Sequence, residues 1–137
     1  MIRSRYMLDT NTISYLVKHH PYVARHVVGM PMASLCMSAV TAGELLYGLA
    51  RRPDAVRLQA AVSELMRRVD ILQWDVSAAE RYGIVRAELE RAGRSLGSLD
   101  LLIAAHALAT GAVLVTNDRA FSQISQLQIE DWTVDRP

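Results

Sequence analysis

The chain has 137 residues, a formal net charge of +1 and one cysteine, Cys36. Apolar residues make up 51% and charged residues 21%, a balance typical of one globular domain, which we place at 1–137. The small net charge argues against nucleic-acid binding through basicity alone, and the lone cysteine excludes an internal disulfide. No apolar run approaches the roughly 20 residues of a membrane span, and residues 1–5 lack a signal-peptide core. We therefore expect a cytoplasmic protein.

The first half of the chain alternates short apolar runs with helical patterns. The apolar runs predict strands at 5–9 and 35–38. Apolar periodicity predicts helices at 10–18, at 21–28 with Pro21 in the first turn, at 41–51, and after a capping Asp54. The last of these helices carries its apolar face at Leu58, Val62, Leu65, Met66 and Val69.

The second half continues the alternation. We predict a strand at 70–74, a helix capped by Ser77 and Glu80, a loop at 93–98, and a helix at 99–110 that Gly111 ends. A strand at 113–115, a helical turn at 119–124 and an edge strand at 127–130 complete the chain. This order predicts an α/β fold, with a short, mostly parallel central sheet between two helical layers.

Four acidic residues lie where an apolar strand gives way to a helix, or at the start of a helix. They are Asp9, Glu44, Asp100 and Asp118. In an open parallel sheet, functional groups gather at the carboxyl ends of the strands, near the point where strand order reverses. Four converging carboxylates repel one another unless cations neutralise them, and oxygen ligands suit Mg²⁺ or Mn²⁺. The sequence therefore predicts a metal-dependent phosphoryl-transfer site.

Each acid also has a structural explanation, because helix N-termini favour Asp and Glu. Asp9 and Asp118 are placed to cap helices, and Thr41 with Glu44 has the spacing of a capping box. Asp100 is harder to explain in this way, since its helix is apolar on nearly every side and an unpaired buried carboxylate is costly. For Asp100 we therefore favour a functional role.

Other side chains offer weaker candidates. His19 and His20 do not recur in a metal-ligand spacing, and His106 fits a hydrogen-bonded core histidine. The sequence contains no recognisable pair of a Ser or Cys nucleophile with a base, and no glycine-rich phosphate loop followed by a lysine. A receiver-like phospho-acceptor domain needs a lysine near the last strands, whereas the only lysine is Lys18.

The ordered motifs resemble the PIN-domain family, in particular the VapC toxins of bacterial toxin–antitoxin pairs. The resemblance rests on Met7-Leu8-Asp9-Thr10-Asn11, Ser38-Ala39-Val40-Thr41-Ala42-Gly43-Glu44-Leu45 with Tyr47-Gly48, Leu99-Asp100 with Ile103-Ala104-Ala105-His106-Ala107 and Gly111, Leu114-Val115-Thr116-Asn117-Asp118 with Phe121, and Ile129-Glu130-Asp131-Trp132. It places the family's acidic quartet on Asp9, Glu44, Asp100 and Asp118. At the fourth position of the quartet, the resemblance allows Asn117 to share the role of Asp118 or to take it over.

This resemblance implies a PIN-like fold and an endoribonuclease that cuts structured RNA, commonly tRNA or ribosomal RNA, with Mg²⁺ or Mn²⁺. It also implies a homodimer and inhibition by a small VapB-type antitoxin. We expect Asp9, Asp100 and Asp118 to bind one or two metal ions, with Glu44 as a ligand or as a base that orients water. Four polar residues are predicted to orient the carboxylates or the metal-bound waters without binding the metal themselves: Thr10, Asn11, Thr116 and Asn117. The alternative is a non-catalytic RNA- or protein-binding module of the same fold.

Overall fold

Five strands form one sheet in the computed structural model, which describes residues 4–135. The strands are β1 (Tyr6–Leu8), β2 (Leu35–Ser38), β3 (Asp70–Leu72), β4 (Val113–Val115) and β5 (Ile129–Glu130). Their order in the sheet is β3-β2-β1-β4-β5, and every pair is parallel. Residues 1–3, the start of the segment predicted to lack a signal peptide, lie outside the described range.

Within residues 4–135, six α-helices and two short 3-10 helices connect the strands. The α-helices are α1 (Thr10–Val17), α2 (Pro21–Val28), α3 (Ala39–Ala50), α4 (Val56–Arg68), α5 (Val76–Arg91) and α6 (Ser98–Thr110). The 3-10 helices span Met32–Ser34 and Arg119–Gln123. None of the helices in residues 4–135 is long and apolar enough to cross a membrane.

Side chains that alternate along the strands divide the core between the two faces of the sheet. Met7, Cys36 and Leu114 pack against α5 and α6 on one face. Leu8, Met37 and other alternate residues pack against α1 to α4 on the opposite face. Because both faces are covered, the three central strands β2, β1 and β4 are almost entirely apolar. The predicted α/β/α architecture is confirmed.

The strand order creates a switch point beside β1. The chain runs from β1 outward through β2 to β3, and then crosses back to place β4 on the other side of β1. The helices that follow β1 and β4 therefore leave toward opposite faces of the sheet, which opens a crevice at the carboxyl ends of these two strands. Asp9 directly follows β1, and Thr116 directly follows β4.

Several predicted helix starts were wrong by a few residues. Ser38, rather than Thr41, caps α3 by accepting a hydrogen bond from the Val40 N–H at 3.1 Å. Asp75, rather than Ser77, caps α5, and the predicted cap Asp54 makes no capping bond, because α4 begins after Ala55. More than one residue near these helix starts is of a type that can cap a helix, and the tertiary path of the chain decides where the helix begins.

His106 is a fully hydrogen-bonded core residue. Its side chain is 3% exposed, its Nδ1 lies 2.8 Å from Ser38 Oγ, and it also hydrogen-bonds the backbone of Gln73. Ser38 Oγ already accepts from the Val40 N–H, so its hydroxyl proton is free to donate to Nδ1. Burial lowers the pKa of His106 from its model-compound value of 6.5, although Asp75 and the Gln73 carbonyl oppose this.

We therefore predict that His106 makes the fold less stable in acid. The unfolded chain binds a proton near pH 6.5, whereas the folded protein resists protonation, so this contribution is present above pH 6.5 and is lost as the pH falls through the lowered folded pKa. Chemical denaturation at pH 7.5 and 5.5 should show a smaller loss of stability for His106→Asn than for the unmodified protein. The exposed His19→Asn is the matched control. Equal losses in all three proteins would contradict the prediction.

Candidate active site

Asp9 lies at the end of β1 and joins that strand to α1. Its backbone N–H donates to the Val115 carbonyl at 3.1 Å, and its Oδ1 accepts from the Thr12 N–H at 2.8 Å. Its side chain is 4% exposed. Asp9 therefore caps α1, as its structural explanation predicted, but this bond occupies only one carboxylate oxygen.

Asp118 has the same relation to the end of β4. Its backbone N–H donates to Thr116 Oγ1 at 3.0 Å, and its Oδ1 accepts from the Ala120 N–H at 2.9 Å. Asp118 thereby caps the 3-10 helix Arg119–Gln123. Here too the capping bond leaves the second carboxylate oxygen available to another ligand.

Glu44 does not have the capping role that its spacing suggested. Thr41 lies inside α3 rather than at its cap, and Glu44 faces α1, where its Oε1 accepts from the Thr10 hydroxyl at 2.6 Å. The capping-box interpretation is therefore wrong, because the helix starts two residues earlier than predicted. The contact with Thr10 instead turns the Glu44 carboxylate toward the end of β1.

Asp100 lies in the first turn of α6, partly buried. α6 begins at Ser98, one residue earlier than predicted, its N-cap is Gly97, and no side chain in residues 4–135 caps it. Among residues 4–135, no donor makes a hydrogen bond to the Asp100 carboxylate. Desolvation raises its pKa, and the charges of Asp118, Glu44 and Asp9 raise it further, in that order.

Asp118, Glu44 and Asp9 all lie within electrostatic reach of Asp100, since the charge of each raises its pKa. Burial also raises the pKa of Asp9, and Asp118 adds to this effect, while hydrogen bonds from Thr116 and Thr12 oppose it. Within the described part of the chain, no three such side chains are close enough together to hold a metal ion as they stand. Like charges favour this separation, and the capping bonds of Asp9 and Asp118 hold one oxygen of each away from the others.

The sequence matches the PIN domain family over residues 6–127. It is 37% identical over 130 residues to a tRNA(fMet)-specific endonuclease VapC of Shigella flexneri, covering 94% of this chain and 98% of that protein. It is 33% identical over 129 residues to ribonuclease VapC2 of Haemophilus influenzae, covering 93% of this chain and 98% of the relative. This chain belongs to the VapC ribonucleases of the PIN-domain family.

Solved VapC structures have the same fold. The DNA-bound VapBC of Salmonella typhimurium superposes with a TM-score of 0.87 at 37% identity, covering 95% of this chain and 99% of that one. VapBC2 of Rickettsia felis, bound to a DNA fragment from its promoter, superposes with a TM-score of 0.84 at 32% identity and 93% and 98% coverage. The resemblance identified from the sequence motifs is confirmed, and a receiver-like domain is not supported.

The four residues predicted to orient the acids of this VapC-family chain divide into two pairs. Thr10 contacts Glu44, and Thr116 contacts both Asp9 and the backbone of Asp118. Asn11 is exposed, and the Asn117 Nδ2 donates at 3.2 Å to the hydroxyl of Tyr15. Within residues 4–135 the two threonines therefore hydrogen-bond to members of the quartet, and neither asparagine side chain does.

Thr12 is a residue at this site that the sequence interpretation missed. It is 2% exposed, its N–H donates to Asp9, and its hydroxyl donates to the Val115 carbonyl at 3.0 Å. Thr12 thus fixes the start of α1 to the ends of both β1 and β4. The spacing Asp9-x-x-Thr12, a cap followed by its third helical residue, was the available signal.

Proposed function

We propose that this chain is a Mg²⁺- or Mn²⁺-dependent endoribonuclease that cleaves tRNA and acts as the toxin of a VapBC-type pair. The observation that carries the proposal is the placement of Asp9 and Asp118 at the ends of β1 and β4, beside the switch point of the sheet and within electrostatic reach of Asp100. Two relatives of 37% and 38% identity are tRNA(fMet)-specific endonucleases, which supports tRNA as the substrate class.

The donor set fits a hard divalent cation. Asp100 has no hydrogen-bond donor among residues 4–135, and Asp9 and Asp118 each keep one oxygen outside their capping bonds. We assign Asp9, Asp100 and Asp118 as the ligands, with Glu44 beside them. Carboxylate oxygens without soft ligands suit Mg²⁺ or Mn²⁺. When bound, the cation activates water and neutralises charge that develops on the phosphate.

The chain's own residues hold the reacting groups. Glu44 Oε1 is fixed by the Thr10 hydroxyl, so Oε2 is free to orient the attacking water and accept its proton. The water oxygen forms a bond to phosphorus as the bond from phosphorus to the leaving ribose oxygen breaks. Because Thr12 and Thr116 hold Asp9, its carboxylate is positioned before the RNA arrives.

We also propose that the chain forms a homodimer and is inhibited by a VapB-type antitoxin. Solved relatives of 37% and 32% identity are VapBC complexes bound to DNA. In each, the match with this chain covers at least 98% of the VapC-like chain. The non-catalytic alternative is less well supported, because all four acids are present and share one cleft.

Cleavage of purified tRNA would test the proposal. The protein, free of any antitoxin, would be incubated with initiator tRNA, elongator tRNA and ribosomal RNA in Mg²⁺, in Mn²⁺ and in EDTA. We expect discrete tRNA fragments that need the cation and disappear in Asp9→Asn, since Asn preserves the cap but removes a charged ligand. Intact RNA in every condition, from protein verified as folded, would overturn the nuclease proposal.

Cation binding should also stabilise the fold in a pH-dependent way. At ten times its Kd, a ligand that binds only the folded state adds about 1.4 kcal/mol. The pKa values of Asp9 and Asp100 are raised, so protons compete with the cation at a higher pH than at an ordinary Asp. We predict that the Mg²⁺-induced rise in Tm is large at pH 8, shrinks toward pH 5 and is lost in Asp100→Asn. A Mg²⁺-induced rise in Tm that depends neither on pH nor on the Asp100 carboxylate would contradict the assignment of Asp100 as a ligand.

The hydrogen bond from Thr10 to Glu44 leads to a separate prediction. Thr10→Val keeps the shape of the side chain but removes the donor to Glu44 Oε1, so we expect tRNA cleavage to fall by about 10- to 100-fold. Thr10→Ser restores a hydroxyl and should recover most of the rate. Single-turnover cleavage measures both variants, and full activity in Thr10→Val would mean that this hydrogen bond does not position Glu44.

A further inference from the structure

A groove of about 220 Å³ leads away from the acidic cleft between α1, α3 and α4. Thr10 and Glu44 line its inner end, and Lys18, Arg51 and Arg52 line its outer end. We call it the α3 groove. Since Glu44 belongs both to the groove and to the quartet, the two sites are continuous.

The three cations at the outer end are exposed and free of ion pairs within residues 4–135. Five other arginines each pair with an Asp or a Glu, whereas the charges of Arg51 and Arg52, like those of several arginines elsewhere in residues 4–135, are not neutralised in this way. Arg51 also lies over the exposed ring of Tyr47, with its guanidinium carbon 5.6 Å from the ring centroid. The groove therefore presents unneutralised positive charge next to a strongly negative cleft.

The wall between the cations and Glu44 is mainly apolar. It includes Val17, Leu45, Leu49 and Val62, of which Leu45 and Val62 are 8% and 3% exposed. Gly48 also lines the groove, and a Cβ added there would meet no atom within 4 Å. The groove thus combines open space and an apolar surface with cations at one end.

We propose that the α3 groove holds the RNA strand next to the scissile phosphate. Lys18, Arg51 and Arg52 bind a neighbouring backbone phosphate, and an unstacked nucleobase lies on the apolar wall between that phosphate and Glu44. Single-stranded RNA is bound in this way, by cations that follow the backbone and by side-chain surfaces that receive splayed bases. This inference rests on the proposed ribonuclease function and adds the site that positions its substrate.

A structural role offers a competing explanation for the cations. Lys18 and Arg51 are the C-cap residues of α1 and α3, where positive charge stabilises the helix dipole. That role requires neither the convergence of two helix ends on one groove nor an opening toward Glu44. It also predicts a loss of thermal stability on charge removal, whereas phosphate binding predicts a loss of RNA affinity.

Charge removal gives the first test. In an Asp9→Asn background, which prevents turnover, Arg51→Gln/Arg52→Gln would be compared with Arg81→Gln/Arg91→Gln for tRNA binding from 50 to 300 mM salt. The control pair is exposed, lies on α5 and forms no ion pair in the described part of the chain. We expect the groove pair to weaken binding about tenfold and to lower the slope of log Kd against log salt by about 0.7, the value for one phosphate contact, and the control pair to change neither.

Filling the groove gives a second test that does not change charge. Gly48→Leu places a side chain in the open space, and Gly83→Leu is its control at an exposed helical position of α5. Both changes replace a helical glycine, so both should preserve or raise Tm. We expect Gly48→Leu to raise the KM for tRNA at least about tenfold and Gly83→Leu to leave it unchanged.

The outcomes separate this inference from the function on which it rests. If the unmodified protein cleaves no RNA, the proposed function fails. If it cleaves tRNA while the Arg51/Arg52 pair and Gly48→Leu keep the original affinity, salt slope and KM, only the groove assignment is overturned. The groove would then be assigned to a protein ligand. A lower Tm with unchanged RNA affinity would instead support the helix-dipole role and overturn the inference.

Discussion

Asp100→Asn is expected to lower tRNA cleavage at least about a thousandfold while leaving the fold intact or more stable. The variant removes the charge of a proposed cation ligand, and the loss of several kcal/mol of transition-state stabilisation corresponds to that factor. Its effect on stability has the opposite sign. Burial and three neighbouring acids raise the pKa of Asp100, so its ionised form destabilises the folded state at neutral pH. Removing the charge should therefore raise the free energy of unfolding, and with it Tm.

Two measurements check this prediction together. Cleavage of tRNA under single-turnover conditions gives the loss of activity, and thermal unfolding without added cation gives the change in stability. Asp54→Asn is the matched control, because Asp54 is exposed and lies outside the cleft. A much lower Tm for Asp100→Asn would mean that the carboxylate has a structural role, and the activity loss could then not be assigned to a missing ligand.

Trp132→Ala is expected to cost about 3–5 kcal/mol of folding stability. Trp132 is 1% exposed, stacks on His26 with ring centroids 5.1 Å apart, and lies 5.6 Å from the ring of Tyr6 in β1. Its Nε1 donates to Glu130 Oε1 at 2.9 Å. Truncation opens a cavity between the chain that follows β5, α2 and the central strand. Since domains of this kind are stable by about 5–15 kcal/mol, this is a large fraction of the total.

Urea denaturation would measure the effect. Trp132→Phe keeps an aromatic ring and should lose less than the alanine variant, and Val28→Ala should change stability by less than about 0.5 kcal/mol because Val28 is 86% exposed. A cost below about 1 kcal/mol for Trp132→Ala would contradict the packing described around this ring.

The fold was largely predictable because its strands are buried on both faces. Apolar runs such as Leu35–Ser38 and Val113–Val115 have no polar alternation, which indicates a parallel sheet covered by helices. Gly111 ended α6 as predicted, and its φ of 71° explains the choice of residue there. These features depend on local chemistry, so the sequence carries them directly.

Helix starts and side-chain partners were less predictable because they depend on tertiary packing and not on local chemistry alone. Ser, Thr and Asp occur in pairs near several helix starts, and intrinsic preferences hardly distinguish Asp75 from Ser77 or Ser38 from Thr41. Likewise, the sequence could not separate Thr10, which contacts Glu44, from Asn11, which is exposed. Neighbours in sequence point to different sides of a helix, and only the packed helix fixes which side faces the cleft.

Burial patterns and motif order are enough to specify the α/β class and to place Asp9 and Asp118 after buried strands, because both features are read along the chain. The tertiary structure decided that Asp118, Glu44 and Asp9 act on Asp100, that Glu44 is bound by Thr10 rather than capping α3, and that Lys18 lies with Arg51 and Arg52 at one groove. Electrostatic coupling depends on distance through space, and residues up to 109 positions apart become neighbours only when β4 crosses to the side of β1 opposite β2.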